Sequence, residues 1–225
     1  MGLSHVTRPP APRRNSVGVM GGSFDPIHLG HLAIAEEARD ALGLETILFV
    51  PAGIAPHKPD GTDASIEDRV AMVQLAIAGN PAFRLSRVDV DRPGLSYTAD
   101  TIAELAATSP DLTLIMSAET LSGFPSWREP RRLLAACRVA VVPRQDHPVP
   151  GPAWLTEQFS GLEERFDLLE GPRLGISSTS IRARVAAGRS IRYLVPEAVE
   201  RYIVDHHLYV SAERPAGQHT RTNPQ

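Results

Sequence analysis

Two histidines that lie three positions apart, His28 and His31, are the side chains of this sequence best placed for chemistry. They stand at the start of a segment, Leu29 to Leu42, whose apolar positions suit an amphipathic helix. A glycine-bearing turn precedes it, and before the turn a short apolar run, Ser16 to Met20, predicts a buried parallel strand. Histidines at this spacing project from one helix face, and the N–H groups at a helix N-terminus attract anions. The stretch therefore predicts a phosphate site.

The histidine pair has other interpretations, which the sequence leaves open. It could be a solvated helix face, or half of a metal site that wants a third ligand and an outer shell of hydrogen bonds. No Asp or Glu stands at zincin spacing nearby, and the sole cysteine, Cys137, lies in an apolar stretch, so we predict no metal ligands on the protein. The dinucleotide fingerprint G-x-G-x-x-G is absent as well. Gly30, between the histidines, predicts a bare surface that a phosphate approaches closely.

Two further segments have residue types that bind anions. A loop rich in Pro and Gly, residues 52–61, follows the predicted strand at residues 46–50 and carries His57 and Lys58. Loops at the ends of parallel strands are where α/β proteins bind ligands, although a solvated turn would look the same. The run Ile176 to Arg182 places hydroxyl residues before a helix. These are N-cap residues first, and they also mark a second helix N-terminus with a cation one turn in.

Alternating strands and helices set the predicted fold class. The chain is expected to be α/β, with a Rossmann-like, doubly wound parallel sheet and a small helical C-terminal part. Residues 84–90 are predicted as one of its strands, and Thr98 as the N-cap of the following helix. We expect one domain over residues 16–210, with its helical part at about 176–210, between disordered tails at residues 1–15 and 211–225.

Composition narrows the class of protein. The 225 residues are 42% hydrophobic and 22% charged, as in ordinary soluble globules. A net charge of −3 gives no basic field for duplex nucleic acid, and no apolar run approaches the roughly 18 residues of a membrane span. The first residues lack the apolar core of a secretory signal. We therefore expect a cytoplasmic enzyme without nucleic-acid or membrane partners, and homo-oligomer formation is left open.

The turn and the histidines together match a known signature. Residues Gly22 to His31, read as Gly-Ser-Phe-Asp-Pro-Ile-His-Leu-Gly-His, resemble the G-x-F-x-P-x-H-x-G-H signature of the nucleotidylyltransferase superfamily. From about Ser16 to Tyr209 the chain is similar to one family within it, the bacterial nicotinate mononucleotide adenylyltransferases. The further segments that carry this resemblance are residues 56–58, 96–101, 124–127, 176–182 and 190–196. The family transfers the adenylyl group of ATP to nicotinate mononucleotide, which gives deamido-NAD and pyrophosphate, with Mg²⁺ on the ATP phosphates.

The resemblance implies a role for each matching residue. The implied catalytic residues are His28, His31, Lys58 and Arg182. Those implied to bind ATP or its phosphates are Gly21, Gly22, Ser23, Phe24, Ser178 and Thr179. The nicotinate mononucleotide would meet His57, Thr98 and Trp127, with Trp127 stacked on the pyridine ring or, alternatively, anchored in the core.

One departure from the family pattern stands directly after the apolar run Leu112 to Met116, which we predict as the fourth strand. Where the family has Gly-x-Asp, this chain has Ser117-Ala118-Glu119. We expect Glu119 still to contact a ribose, and the double change Ser117→Gly with Glu119→Asp to raise kcat/KM. The alternatives kept open are a nicotinamide mononucleotide or phosphopantetheine acceptor, a nucleotide-binding module with lost activity, and a histidine-metal hydrolase.

Overall fold

Strands and helices alternate along the part of the chain that the computed structural model describes, residues 13–56 and 61–210. The strands are β1 (Arg13–Gly22), β2 (Leu44–Pro51), β3 (Phe83–Leu85), β4 (Asp111–Ser117), β5 (Arg138–Val142) and β6 (Phe166–Leu168). The helices are α1 (Leu29–Leu42), α2 (Ile66–Ile77), α3 (Val88–Asp91), α4 (Thr98–Ala106), α5 (Ala118–Gly123), α6 (Pro130–Ala136), α7 (Pro152–Phe159), α8 (Ser178–Ala186) and α9 (Glu197–Asp205). Short 3₁₀ turns span Phe124–Ser126 and Glu163–Arg165.

The six strands form one parallel sheet in the order β3-β2-β1-β4-β5-β6. The chain builds outward from β1 to β3 and then crosses to the other side of β1 to add β4. In such sheets ligands bind beyond the carboxyl ends of the strands, where the order reverses. That place lies here between the ends of β1 and β4. The predicted fold class, a Rossmann-like doubly wound sheet, is confirmed.

Two apolar clusters cover the two faces of the sheet. In the first, Ala35 of α1 and Met72 of α2 share the cluster with Ile181 of α8 and Ile203 of α9. The C-terminal helices therefore lie on the same core as the first half of the chain. The second cluster lies between the sheet and helices α4, α6 and α7. Both faces are covered, as a parallel sheet requires.

The predicted strand at residues 84–90 is wrong beyond Leu85. Residues 88–91 form a helical turn instead, and Asp89, only 7% exposed, lies inside the protein. Its carboxylate accepts hydrogen bonds from the Thr101 hydroxyl and, at 2.9 Å, from the Arg92 guanidinium. A buried carboxylate needs such partners, and only a turn brings Asp89 to them. The valines on either side mimicked the alternation of a strand.

Other boundaries lie close to the prediction. Helix α1 has the expected limits, and Gly43 follows it as its C-cap, with a φ of 62° in the left-handed region. Strand β1 begins at Arg13, earlier than the expected domain start at residue 16, because Arg13 pairs with Leu44 and the Asn15 N–H bonds to Glu45 at 2.6 Å. The rest of the predicted tails, residues 1–12 and 211–225, lies outside the described residues.

Candidate active site

The two histidines cap the first helix and bond to each other's backbone. His28 is the N-cap of α1, and its Nδ1 accepts a hydrogen bond from the His31 N–H at 3.3 Å. His31 Nδ1 accepts in return from the His28 N–H at 3.2 Å, and the stacked ring centroids lie 3.7 Å apart. Because both Nδ1 atoms are acceptors, each neutral ring carries its hydrogen on Nε2. The reciprocal capping box thus leaves two imidazole N–H groups side by side as donors.

Burial keeps both rings neutral at physiological pH. Withdrawal of His28 from water, helped by the nearby positive charge of Arg144, lowers its pKa from 6.5 to about 4. Burial likewise lowers the pKa of His31 well below 6.5, with smaller contributions from His28 and Arg144. A buried imidazole resists protonation because its charged form loses hydration. The pair can therefore donate hydrogen bonds to a phosphate but holds no proton to give away as an acid.

Two residues of the signature, Phe24 and Gly30, pack against the histidine rings. Phe24, 2% exposed, meets His31 edge-on with ring centroids 5.1 Å apart, so its side chain belongs to the core. Gly30 is also buried, and a Cβ atom there would stand 3.0 Å from His28 Nδ1 and 3.6 Å from the Ile176 Cβ. The prediction that Gly30 bares the surface for a phosphate is wrong. The glycine makes room for the protein's own His28 ring.

A buried arginine that the sequence analysis missed ties two loops together. Arg69 in α2 is 1% exposed and donates to the Ser23 carbonyl at 2.7 Å and to the Gly53 carbonyl at 3.2 Å. It thereby joins the turn after β1 to the loop after β2. The signal in the sequence is its position four residues before Val73 on the apolar face of α2, where a charged residue needs buried partners.

Asp25 stands at the variable position between Phe24 and Pro26 of the signature. It is a buried carboxylate that bonds to several segments, and its role was also missed from the sequence. The carboxylate is 1% exposed and accepts from the N–H groups of Asp63 and Ala64 at 2.9 and 3.1 Å. The Tyr209 hydroxyl donates to it at 2.8 Å, and burial beside this carboxylate raises the pKa of Tyr209. Asp25 therefore connects the signature turn to the end of the loop after β2 and to the C-terminal part of the chain.

The start of α8 lies against the signature turn, as the resemblance implies. The Ser178 hydroxyl donates to the Pro26 carbonyl at 2.9 Å, while Thr179 is exposed. Arg182 donates from Nη1 to the Asp25 carbonyl at 2.8 Å, and its Nε lies 2.7 Å from Asp63 Oδ2. Two helix N-termini, those of α1 and α8, thus meet beyond the end of β1, where Gly21 and Gly22 finish the strand. The phosphate roles of these residues stay predictions, with the Ser178 hydroxyl and part of Arg182 already bonded within the protein.

The segments implied to hold the pyridine ring also come together. The Ser96 hydroxyl accepts from the Gly53 N–H at 2.9 Å, which joins the start of α4 to the loop after β2. The Arg128 guanidinium lies 4.5 Å from the Tyr97 ring centroid and 3.6 Å from Asp100. Residues 96–100 therefore lie next to the segment that contains Trp127.

Within these segments, two details differ from or extend the prediction. Thr98 is the first residue of α4 and Tyr97 is its N-cap, so the prediction of Thr98 as N-cap is wrong. Trp127 follows the 3₁₀ turn, and its half-buried ring meets Phe124 edge-on with centroids 5.2 Å apart. That contact suits a core anchor, and a stacking role for the remaining ring surface stays a prediction.

The departure from the family pattern has a clear local structure. Ser117 ends β4 and is the N-cap of α5, where its Oγ accepts from the Thr120 N–H at 3.3 Å. Glu119, in the first turn of α5, forms an ion pair with Arg144, two residues beyond the end of β5. Contact of Glu119 with a ribose stays a prediction. Arg144 is a further cation at this edge that the sequence analysis did not single out.

The remaining predictions concern the loop after β2, metal ligands and membrane spans. His57 and Lys58 lie outside the described residues. Among residues 13–56 and 61–210, no group of three or more His, Cys, Asp or Glu side chains is arranged to hold a metal ion. Over the same two ranges, no helix is both long and apolar enough to cross a membrane.

Comparison with known proteins points to one family. A family model described as cytidylyltransferase-like matches residues 19–184. A curated protein of Roseiflexus sp. (strain RS-1), named "Probable nicotinate-nucleotide adenylyltransferase", is 50% identical over 194 residues, which cover 86% of this chain and 97% of that protein. A protein of the same name from Acidothermus cellulolyticus is 44% identical over 204 residues, 88% of this chain and 95% of its own.

Solved structures share the fold. Plasmodium falciparum nicotinic acid mononucleotide adenylyltransferase complexed with NaAD matches with a TM-score of 0.73 at 17% identity, over 86% of this chain and 97% of that one. The same protein complexed with APC matches with a TM-score of 0.69. The sequence matches cover nearly the whole length of the relatives. Together with the shared fold, they agree with the signature at the end of β1. The chain belongs to the nicotinate-nucleotide adenylyltransferase family of cytidylyltransferase-like proteins.

Proposed function

We propose that this chain transfers the adenylyl group of ATP to nicotinate mononucleotide, giving deamido-NAD and pyrophosphate in NAD biosynthesis. The observation that carries the proposal is the neutral histidine pair, locked by its own capping box where the N-termini of α1 and α8 meet. Such a place suits a polyphosphate, because helix N-termini and fixed N–H donors favour negative charge. Membership of the family supplies the reaction and the acceptor.

The proposed chemistry is a direct in-line displacement. An oxygen of the acceptor's phosphate monoester attacks the α-phosphorus of ATP, and the bond from that phosphorus to the bridging oxygen breaks. The electron pair leaves with pyrophosphate. The attacking phosphate is largely ionised at pH 7, since its second pKa is about 6, so no strong base is required. The protein's task is to align two polyanions and to stabilise the charge that develops between them.

The histidines serve this task as donors rather than as acids. With pKa values far below 7 they stay neutral, and Nε2–H groups held in place by the capping box cost little reorganisation when charge develops. Arg182 and the first N–H groups of α8 are proposed to hold the β- and γ-phosphates. Lys58 and His57 are proposed to close over the substrates from the loop after β2.

Mg²⁺ is proposed to enter with ATP as its phosphate-bound partner. The donor set fits that role, because the described part of the chain offers imidazole and guanidinium groups for phosphate and no carboxylate cluster for a metal of its own. Mg²⁺ keeps several waters and commonly binds through substrate phosphates. The ion would supply charge neutralisation at the triphosphate. We also propose the cytoplasm as the compartment, since the reaction consumes ATP.

The acceptor pocket is proposed to lie between the start of α4 and the segment around Trp127. Its elements are joined by the Ser96–Gly53 hydrogen bond and by Arg128 on Tyr97. Thr98 is proposed to bond the nicotinate carboxylate and Trp127 to stack on the ring. The preference for the acid over the amide depends on such donors.

The test is pyrophosphate release from Mg-ATP with three acceptors in parallel: nicotinate mononucleotide, nicotinamide mononucleotide and phosphopantetheine. Rapid turnover with the first alone supports the proposal. Turnover with another acceptor would keep the chemistry and refute the pocket assignment. A folded chain that turns over none of them would be a nucleotide-binding module without this activity.

A further inference from the structure

An ion pair bridges the carboxyl ends of two neighbouring strands at the edge where the histidines lie. Glu119 comes two residues after the end of β4, and Arg144 two residues after the end of β5. The Glu119 side chain is 46% exposed and that of Arg144 is 25% exposed. The two residues therefore sit at the rim of the proposed nucleotide site, within reach of a ligand.

Two features of the chain build this pair. Ser117 caps α5, and its Oγ lies 3.1 Å from the Thr120 hydroxyl oxygen as well as accepting the Thr120 N–H. The cap fixes where α5 begins and so where its first-turn residue, Glu119, stands. Glutamate also reaches one methylene further than the aspartate of the family pattern. The replacements at positions 117 and 119 thus act together to bring a carboxylate to Arg144.

Arg144 is held on its other side by the segment that packs on the histidines. Its Nη2 donates to the Ile176 carbonyl at 3.0 Å. Ile176 in turn stands next to Gly30 and the His28 ring, since a Cβ atom at Gly30 would lie 3.6 Å from the Ile176 Cβ. The guanidinium is close enough to both histidines for its charge to lower the pKa of each. Its position is therefore set by Glu119 on one side and by the segment before α8 on the other.

The guanidinium has N–H groups left for a ligand. It carries five donors in a fixed planar fork, which matches phosphate oxygens well. Within residues 13–56 and 61–210, the side-chain partners of Arg144 are Glu119 and the Ile176 carbonyl. A phosphate that accepts hydrogen bonds from the neutral histidines would meet this cation alongside them.

We propose that Glu119 is a positioning residue, which holds the Arg144 guanidinium beside His28 and His31 so that Arg144 contacts a phosphate of the bound nucleotide. The inference rests on the proposed function, because it takes the histidine pair as the phosphate site. It assigns Glu119 a role through Arg144 in place of direct contact with a ribose. The two roles predict opposite effects of Glu119→Asp. A ribose ligand would tolerate the family's own residue, whereas the shorter side chain would lose its hold on Arg144.

The experiment compares Glu119→Asp, Glu119→Gln, Arg144→Gln and the double variant Glu119→Gln/Arg144→Gln. Calorimetry measures binding of α,β-methylene ATP with Mg²⁺ and without acceptor, and steady-state kinetics gives KM for ATP and for nicotinate mononucleotide separately. Asp167→Asn is the matched control, because it breaks an Arg–carboxylate pair of 2.7 Å at the opposite, amino end of β5. Melting temperatures identify any variant that fails to fold.

We expect Arg144→Gln to weaken analogue binding about tenfold, as the loss of a charge-assisted hydrogen bond does. Each Glu119 variant should weaken it severalfold, with KM for ATP raised and KM for the acceptor little changed. The double variant should bind no worse than Arg144→Gln alone, because Glu119 acts through that arginine. The Asp167→Asn control should bind the analogue as the unaltered chain does.

Two results would overturn the inference: Glu119→Asp binding the analogue as well as the unaltered chain, or effects of the two single variants that multiply in the double variant. Because analogue binding needs no acceptor, the proposed function can fail separately. Binding of the analogue without pyrophosphate release would refute the proposed reaction and still decide the role of Glu119. A chain that binds no adenine nucleotide would refute both.

Discussion

Replacing His28 separates its two proposed roles, helix cap and phosphate donor. His28→Asn keeps a side-chain oxygen that accepts the His31 N–H, and Asn is a good N-cap residue, whereas His28→Ala removes the acceptor altogether. Both variants remove the same Nε2–H group. The Nε2–H donor is therefore lost in both variants, whereas the helix cap is lost only in His28→Ala.

Loss of the cap should lower thermal stability, and loss of the donor should lower kcat. Loss of an N-cap costs about 1 kcal/mol, and in a chain of this size that lowers the melting temperature by about 2–4 °C. Asn should therefore melt higher than Ala, although both lose the packing of the ring on His31. Loss of a preorganised donor at developing charge commonly costs about 10²- to 10³-fold in kcat. We expect both variants to lose activity by about that factor.

The assay combines thermal unfolding by circular dichroism with pyrophosphate release at saturating Mg-ATP. His207→Asn is the control, because that histidine is exposed and its φ of 51° suits Asn. Activity of His28→Asn within about tenfold of the unaltered chain would refute the donor role. Equal melting temperatures for the Asn and Ala variants would refute the cap.

Three more predictions follow from the same geometry. The pKa of the buried His28 is lowered to about 4, while the unfolded ring keeps a pKa of 6.5, so the unfolded state takes up the proton first. The free energy of unfolding should therefore fall as pH drops from about 6.5 to about 4. Denaturant melts that show constant stability over this interval would contradict the neutral pair. Arg69→Met should lower the free energy of unfolding by about 1–3 kcal/mol, since two partly buried carbonyls lose their donor. Denaturant melts that show no loss would argue against a role of Arg69 in joining the two loops. Asp63→Asn should lower KM for ATP, because it removes the ion pair between the Asp63 carboxylate and Arg182 Nε and so frees that N–H for phosphate. An unchanged or higher KM would mean that the ion pair does not compete with phosphate for Arg182.

The sequence predicted those features that depend on local pattern. The limits of α1 were predicted from the apolar period of residues 29–42. The strand predicted at 84–90 failed because alternation cannot show that Asp89 turns inward to partners further along the chain. Local pattern carries no information on such contacts.

The residues proposed to bind phosphate could be singled out from the sequence, whereas the residues that hold them in place could not. The histidine pair and the start of α8 stood out by residue type and position. The roles of Arg69 and Arg144 depend on carbonyl and carboxylate groups 16 to 46 residues away in sequence, which only the folded chain brings near. An arginine in a helix or after a strand looks like any solvated cation until its partners are placed.

The departure at positions 117 and 119 is where sequence and structure predict opposite results. From the resemblance alone, Ser117→Gly with Glu119→Asp should raise kcat/KM by restoring the family pattern. In the structure Ser117 caps α5 at an ordinary φ of −80°, so glycine gains no conformational freedom that the site needs and loses the hydrogen bond to Thr120. The shorter Asp would also release Arg144. We therefore expect the double variant to lower kcat/KM by roughly tenfold, mainly through KM for ATP, because a charge-assisted contact is loosened. Steady-state kinetics of the double variant decides the question, and a rise in kcat/KM would show that the family geometry is better for this chain than the ion pair that has replaced it.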